Sequence, residues 1–253
     1  MEFWLALAIA LLLNAAVLVI AYLRQTDKLT DITYAGTFLL LAAVLFAMCA
    51  GGTSSLFVLI MVGLWSLRLG LFLGVRIHKI GRDKRFDGVR ENFRKFGLFW
   101  LGQGFSAWVI MIPVIYILML MPDEFKGWSA VGLAVFTLGF VVEAAADQQK
   151  FAFLNNPKNR GKWIESGLWG YSRHPNYLGE ILVWLGVYLF AVPYLSGWQI
   201  AIAAVGPLWI AGLLIFVTGI PKTEAGADKK WGKNPAYRAY KKRVPVLIPK
   251  KLF

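Results

Sequence analysis

Apolar side chains in this chain come in runs of about 20, the length an α-helix needs to cross the hydrocarbon core of a bilayer. Seven such runs predict seven helices, near 3–23, 32–50, 55–75, 97–121, 128–147, 177–195 and 197–220. The connections alternate in character. Those at 51–54, at 122–127 and around Ser196 are short, whereas 76–95, 148–177 and the tail 221–253 are long and polar. The first run opens on Glu2 instead of a basic leader, contains Asn14 and lacks a small-residue cleavage site, so it is expected to be a retained span and not a signal peptide. The pattern predicts an all-α polytopic integral membrane protein forming a single membrane domain.

Composition agrees: of 253 residues 58% are hydrophobic and 16% charged. The formal charge of +13 changes the picture only through its placement. The connections after helices one, three and five, together with the tail, hold 25 of the 27 Lys and Arg residues. The positive-inside rule then puts the N-terminus outside and the C-terminus in the cytoplasm. Cations so placed belong with lipid head groups, and nucleic acid is not expected as a partner. No obligate protein partner is evident. Chemistry on a soluble cofactor is expected on the cytoplasmic side, because the outer connections are too short to form a site. Cys49 is the only cysteine, and only His78 and His174 supply imidazoles, so neither a disulfide framework nor a metal centre is expected. No internal repeat marks an inverted-repeat transporter.

Polar groups at apolar depth are costly, and each needs a reason. The densest cluster is 170–180, Gly-Tyr-Ser-Arg-His-Pro-Asn-Tyr-Leu-Gly-Glu, which runs directly into an apolar span. Pro175 restricts the residue before it and suits the first turn of a helix. Arg173 and His174 are therefore expected on a fixed elbow whose helix amides face an anion or a polar head group. Glu180 falls in the first turn of that span. Arg68 lies about two turns from the end of helix three, where it either snorkels to the interface or pairs with a carboxylate in a cavity. Asp31 opens helix two as a candidate N-cap, and Tyr34 follows it. Glu143 and Asp147 share a helix face with Lys150 one turn further on. Segment 147–162 mixes a carboxylate, amides and four cations, suiting a nucleotide or lipid head groups alike. In the tail, Tyr237 and Tyr240 share a helical face with Arg243, as an aromatic wall beside a cation or as an interfacial anchor.

Three segments in this order, Asp147-Gln-Gln-Lys, then Gly167-Leu-Trp-Gly-Tyr-Ser-Arg-His-Pro-Asn-Tyr-Leu-Gly-Glu, then Tyr237-Arg-Ala-Tyr-Lys-Lys-Arg-Val-Pro-Val-Leu-Ile-Pro, resemble the C-terminal half of the steroid 5-alpha-reductase family. The likeness is strongest to its bacterial integral-membrane branch and covers roughly residues 140–253, with looser likeness over 64–93. It implies a seven-helix enzyme that binds NADPH in a cytoplasm-facing cavity and reduces a conjugated carbon–carbon double bond in a lipid or steroid-like substrate. It implies substrate-side helices in 1–125 and a cofactor-binding half in 126–253. Asn176 and Glu180 match the residues that hold the nicotinamide end, Asp147 matches a cofactor-contacting carboxylate, and Tyr171 and Tyr240 line the nucleotide cavity. With the clusters above, the expected cofactor-binding set is Asp147, Lys150, Tyr171, Arg173, His174, Asn176, Tyr177, Glu180, Tyr237, Tyr240 and Arg243.

The departures from the family carry equal weight. Its substrate-polarising glutamate and tyrosine have no counterpart here, since helix two is apolar after Tyr34 and Trp65 stands at the tyrosine's place. Asp31, Tyr34 and Arg68 are the candidates left for catalysis. Phe151 and Leu154 replace arginines that would follow Asp147, which keeps NADH open beside NADPH. Isoprenylcysteine carboxyl methyltransferases share an Arg-His-Pro-x-Tyr elbow, a following Glu and a Tyr-x-x-Tyr tail. An S-adenosylmethionine-dependent membrane methyltransferase is thus the alternative, and a small transporter or lipid-binding scaffold a third.

Overall fold

The computed structural model describes residues 2–49, 51–83 and 86–249, and among these there is helix and connection but no strand. The helices are α1 (Glu2–Leu23), α2 (Thr30–Cys49), α3 (Thr53–Ile80), α4 (Phe93–Ile110), α5 (Ile112–Leu120), α6 (Ser129–Asn155), α7 (Pro175–Ala191), α8 (Trp198–Ala203), α9 (Val205–Gly212), α10 (Ile220–Trp231) and α11 (Pro235–Arg243). Six segments among the described residues are long and apolar enough to span a bilayer, or seven when α4 and α5 count as one bent span. The protein is therefore an all-helical polytopic membrane protein. Ala50, the last residue of the second predicted span, lies outside the described residues, as do Lys84, Arg85, Lys250 and Lys251 of the charge argument. Large apolar side chains such as Leu12, Leu71 and Phe216 point outward. That exposure is costly in water and favourable against lipid.

Four predicted spans differ from the structure. The fifth, expected over 128–147, continues as α6 to Asn155. The fourth, expected unbroken over 97–121, bends by 50° between α4 and α5. Pro113, the second residue of α5, has no amide to give Val109, and its ring clashes with the preceding turn. The third runs to Ile80, which puts Arg68 twelve residues, or ~18 Å, from its end instead of two turns. The last breaks at Ala204 and passes through a π-helical turn, Leu213–Val217, before Pro221 at the second position of α10.

The chain forms two compact units. The first comprises Met1–Ala130 and Val187–Gly206. Within it α1 packs along α4 and α2 along α3. A buried polar clamp sets their register: Asn14 Nδ2 donates to Thr37 Oγ1 at 3.1 Å, and Gln103 Nε2 donates to Asn14 Oδ1 at 3.0 Å and to the Thr30 carbonyl at 3.2 Å. With the Asn14 amide satisfied on both sides, its burial costs little. Trp65 is fully buried with its ring edge-on to Phe38 at 5.1 Å. At one end of this unit Arg90 bonds Asp27 at 2.6 Å, both side chains about 95% buried, and also pairs with Asp87. Asp27 in turn accepts the Asp83 amide, tying the connection after α3 to the one after α1.

The second unit comprises Val131–Gly186 and Pro207–Phe253. Here α6 and α7 run antiparallel with their backbones in contact. A Cβ on Gly179 would sit 2.5 Å from the Glu143 amide nitrogen, and one on Gly186 would collide with Phe136. Only glycine permits that approach, in the way small residues let membrane helices close together. The register follows: residue 143 lies opposite 179, so Asp147, one turn on, is level with Pro175 and Asn176. Two apolar clusters flank this pair. Ile164 and Trp169 pack on Ala146, and Tyr237, Tyr240 and Val244 pack with Trp163 and Trp231.

Candidate functional site

Residues 167–180 and the elements that grip them form the densest polar constellation of the second unit. A short 3-10 turn, Gly167–Gly170, leads into the elbow, and Pro175 is the first residue of α7, where its fixed φ and missing amide cost nothing. The elbow is held from several sides. Trp169 donates its indole N–H to the Ala146 carbonyl at 3.0 Å, and Gln149 Oε1 accepts the Leu168 amide at 2.9 Å. The tail doubles back so that the Arg173 amide donates to the Pro245 carbonyl at 3.0 Å.

The charged centre of the elbow is a carboxylate that sequence reasoning missed. Glu224 of α10 accepts from Arg173 Nη1 at 2.6 Å, from His174 Nε2 at 2.9 Å and from Lys241 Nζ at 3.1 Å. Lys241 also bonds Asp228 at 2.7 Å. A carboxylate only accepts, so His174 must carry its proton on Nε2. Its ring stacks on Tyr177, centroids 5.3 Å apart and planes 6° from parallel. Burial holds the imidazole below its ordinary pKa, the Glu224 hydrogen bond opposing this only in part while Lys150 and Arg173 add to it. The available signal was weak: Glu224 and Asp228 are four apart on one face of a basic helix, but nothing in the sequence says which cations they meet.

This imidazole yields a pH prediction. Its folded pKa is depressed, so just below pH ~6.5 the unfolded chain binds more protons than the folded one, and stability rises with pH through that window. The melting midpoint in detergent should fall as pH drops from ~6.5 towards the folded pKa, and His174→Gln should flatten that slope. A slope unchanged in His174→Gln assigns the effect to another group.

The expected site residues divide into three sets. Arg173 and His174 are committed to Glu224 in this structure. Tyr237 and Tyr240 are 3% and 5% exposed, and the Tyr240 hydroxyl donates to the Trp169 carbonyl at 3.1 Å, so both rings brace the elbow. Burial raises both phenol pKa values. Arg243, expected beside them, instead reaches Glu165 at 2.9 Å in the open. Tyr171 is 48% exposed, and Lys150 lies 4.5 Å over the Trp169 ring.

The third set lies along the α6–α7 contact. Glu143 and Asp147 are 3% and 9% exposed, Glu180 and Tyr177 are half-buried, and the Asn176 Oδ1 atom is buried with no hydrogen-bond partner. Asp31, Tyr34 and Arg68 belong to the first unit. Asp31 is in the first turn of α2, whose first residue is Thr30, and Tyr34 meets Phe38 edge-on at 5.0 Å.

A family model described as a protein of unknown function, DUF1295, matches residues 17–244. An uncharacterized protein of Schizosaccharomyces pombe is 31% identical, the match covering 74% of this chain and 61% of the relative. A delta(14)-sterol reductase of Arabidopsis thaliana is 33% identical over 34% of this chain and 25% of its own length. A probable O-methyltransferase of Ustilaginoidea virens is 33% identical over 29% and 26%. The chain thus spans about three fifths of the first relative and about a quarter of the other two. No solved structure matches it.

Proposed function

Since this chain belongs to the steroid 5-alpha-reductase-like DUF1295 family, we propose that it is a membrane reductase using NADPH or NADH to saturate a conjugated carbon–carbon double bond in a lipid or steroid-like substrate. The observation that carries this reading is the buried Asn176 Oδ1 atom with no partner, one turn from the half-buried Glu180. An orphaned buried acceptor costs about 1–3 kcal/mol. A carboxamide N–H of a nicotinamide ring would remove that cost, with Glu180 as a second acceptor. The partial match to a sterol reductase supports the same chemistry.

When bound, a reduced nicotinamide would supply hydride for the β-carbon of a double bond conjugated to a carbonyl, with the proton at the α-carbon drawn from solvent. The chain's own part is to bind, orient and exclude water. Asn176 and Glu180 fix the ring face. Asp147, level with Asn176 across the α6–α7 contact, accepts from a ribose hydroxyl. Tyr171, Tyr177 and Lys150 border the nucleotide, while Arg173, His174, Tyr237, Tyr240 and Arg243 act through the elbow they stiffen. The active site faces the cytoplasm in this reading.

Asn176→Ala should lower NADPH affinity about tenfold, the worth of one buried hydrogen bond, and Glu180→Gln should do likewise. Quenching of the eleven tryptophans in detergent gives the affinity. Unchanged affinity in both variants removes the first two turns of α7 from the site. The partial match to a probable O-methyltransferase favours a second reading, in which the pocket holds S-adenosylmethionine. Titrating both ligands separates the two, and mass spectrometry of a co-purified nucleotide does so independently.

A further inference from the structure

The first unit contains an apolar cavity that the proposed reduction does not use. Between α2 and α3 lies a cavity of about 600 Å³, bordered by Gly36 and Leu39 on one helix and by Ser66, Gly70 and Gly74 on the other, with His78 and Lys79 at one end. Its glycines are not all explained by helix packing. A Cβ on Gly36 would meet nothing within 4 Å, and one on Gly74 only the Ile32 side chain at 3.8 Å, whereas one on Gly70 would press on Ala35 at 3.3 Å. Glycine within a helix costs about 1 kcal/mol against alanine. At Gly36 and Gly74 that cost gains no closer contact between helices and leaves an open channel.

A second, independent observation points to an occupant. Ser66 is 3% exposed, borders the cavity, and its hydroxyl has no hydrogen-bond partner. A helical serine ordinarily back-bonds to the preceding turn, and a hydroxyl left without a partner at this depth costs about 1–3 kcal/mol. A ligand atom that accepts or donates a hydrogen bond would remove it. At the far end, thirteen residues or ~20 Å along α3, His78 and Lys79 are exposed at the mouth. An ammonium and an imidazole at an interface attract an anionic head.

We infer that the α2–α3 groove binds a long-chain fatty carboxylate, its head at His78 and Lys79, its chain along Gly74, Gly70 and Gly36, and an oxygen borne part-way along the chain hydrogen-bonded to Ser66. Aliphatic lining and small residues set the width of the channel, the cations set its polarity, and Ser66 sets a preference for an oxygenated chain over a plain one. This site stands whether or not the second unit holds a nicotinamide.

Native mass spectrometry of the detergent-solubilised protein, titrated with oleate or with ricinoleate, tests it. The two probes differ by one hydroxyl group part-way along the chain. The expected result is one saturable adduct, with ricinoleate bound about tenfold more tightly, the worth of one buried hydrogen bond. Gly74→Leu should fill the channel and weaken both probes at least tenfold, whereas Gly102→Leu, an exposed helical glycine with an open surround, should leave both unchanged. Ser66→Ala should bring ricinoleate down to oleate, and joint replacement of His78 and Lys79 by glutamine should weaken both probes equally. Adducts that do not saturate, or that survive Gly74→Leu, would reduce the groove to ordinary annular lipid and overturn the inference. Equal binding of the two probes to the wild type would overturn the role of Ser66. Because no nucleotide is present, failure here leaves the reductase reading untouched, and failure to bind NADPH leaves this site untouched.

Discussion

Replacing Arg90 by alanine should lower the melting midpoint of the protein more than any other single change described, by the equivalent of about 3–5 kcal/mol. That is the usual consequence of stranding one member of a buried ion pair. The pair in question is Arg90 and Asp27, 2.6 Å apart with side chains 5% and 3% exposed. Without the guanidinium, the Asp27 carboxylate keeps the Asp83 amide as a donor but loses its counter-charge, and Asp87 is left with Arg82 alone. The connections that follow α1 and α3 would then lose their shared anchor. Arg94, exposed in the first turn of α4, provides the comparison: Arg94→Ala removes the same charge from the surface and should change stability by no more than about 0.5 kcal/mol. Thermal unfolding in one detergent at one pH measures both. Equal midpoints for the two variants would show that the buried pair contributes nothing beyond its charge.

Glu224→Ala should follow, destabilising the second unit by about 2–4 kcal/mol, because it leaves the Arg173 guanidinium, 9% exposed, without its carboxylate and removes the acceptor that fixes the His174 tautomer. The estimate lies below that for Arg90 since Glu224 is itself 18% exposed and water reaches part of the cluster. The double variant Arg173→Ala, Glu224→Ala should be less damaged than the two single losses added together, with a coupling of about 0.5–3 kcal/mol. This variant also addresses function. If the elbow positions Asn176 and Glu180, Glu224→Ala should weaken NADPH binding even at temperatures where the fold persists, although Glu224 is placed as a positioning residue that meets other side chains and not the nucleotide. Full affinity in a folded Glu224→Ala protein would detach the elbow from the cofactor.

The spans were legible because a bilayer imposes a one-dimensional requirement: enough consecutive apolar residues to bury every backbone amide inside its own helix. The start of α7 was legible for a similarly local reason, since Pro175 restricts its own φ and its predecessor's conformation. The break between α4 and α5 was also written locally, in Pro113, but a run of apolar residues on both sides concealed it from a reading based on hydropathy. Tyr237, Tyr240 and Arg243 show the limit of helical spacing. Their common face was visible, yet spacing alone could not say that the Tyr240 hydroxyl would go to the Trp169 carbonyl or that Arg243 would reach Glu165 in the open.

By itself, then, the sequence determined the helical class, the run of six or seven apolar spans, and the concentration of cations, amides and acids at residues 147–180 and in the tail. Each of these follows from forces that act between near neighbours along the chain or between a segment and the bilayer. Only the tertiary structure decided which charges neutralise one another. Glu224 joins Arg173 and His174 across some fifty residues, and Arg90 joins Asp27 across sixty-three. It also decided that Gly179 and Gly186 bring α6 onto α7 closely enough to set Asp147 level with Asn176. The physical reason is that a charge taken out of water is stabilised by whatever partner packing delivers within ~3 Å, and that distance is fixed by how helices meet, not by how residues are spaced along any one of them.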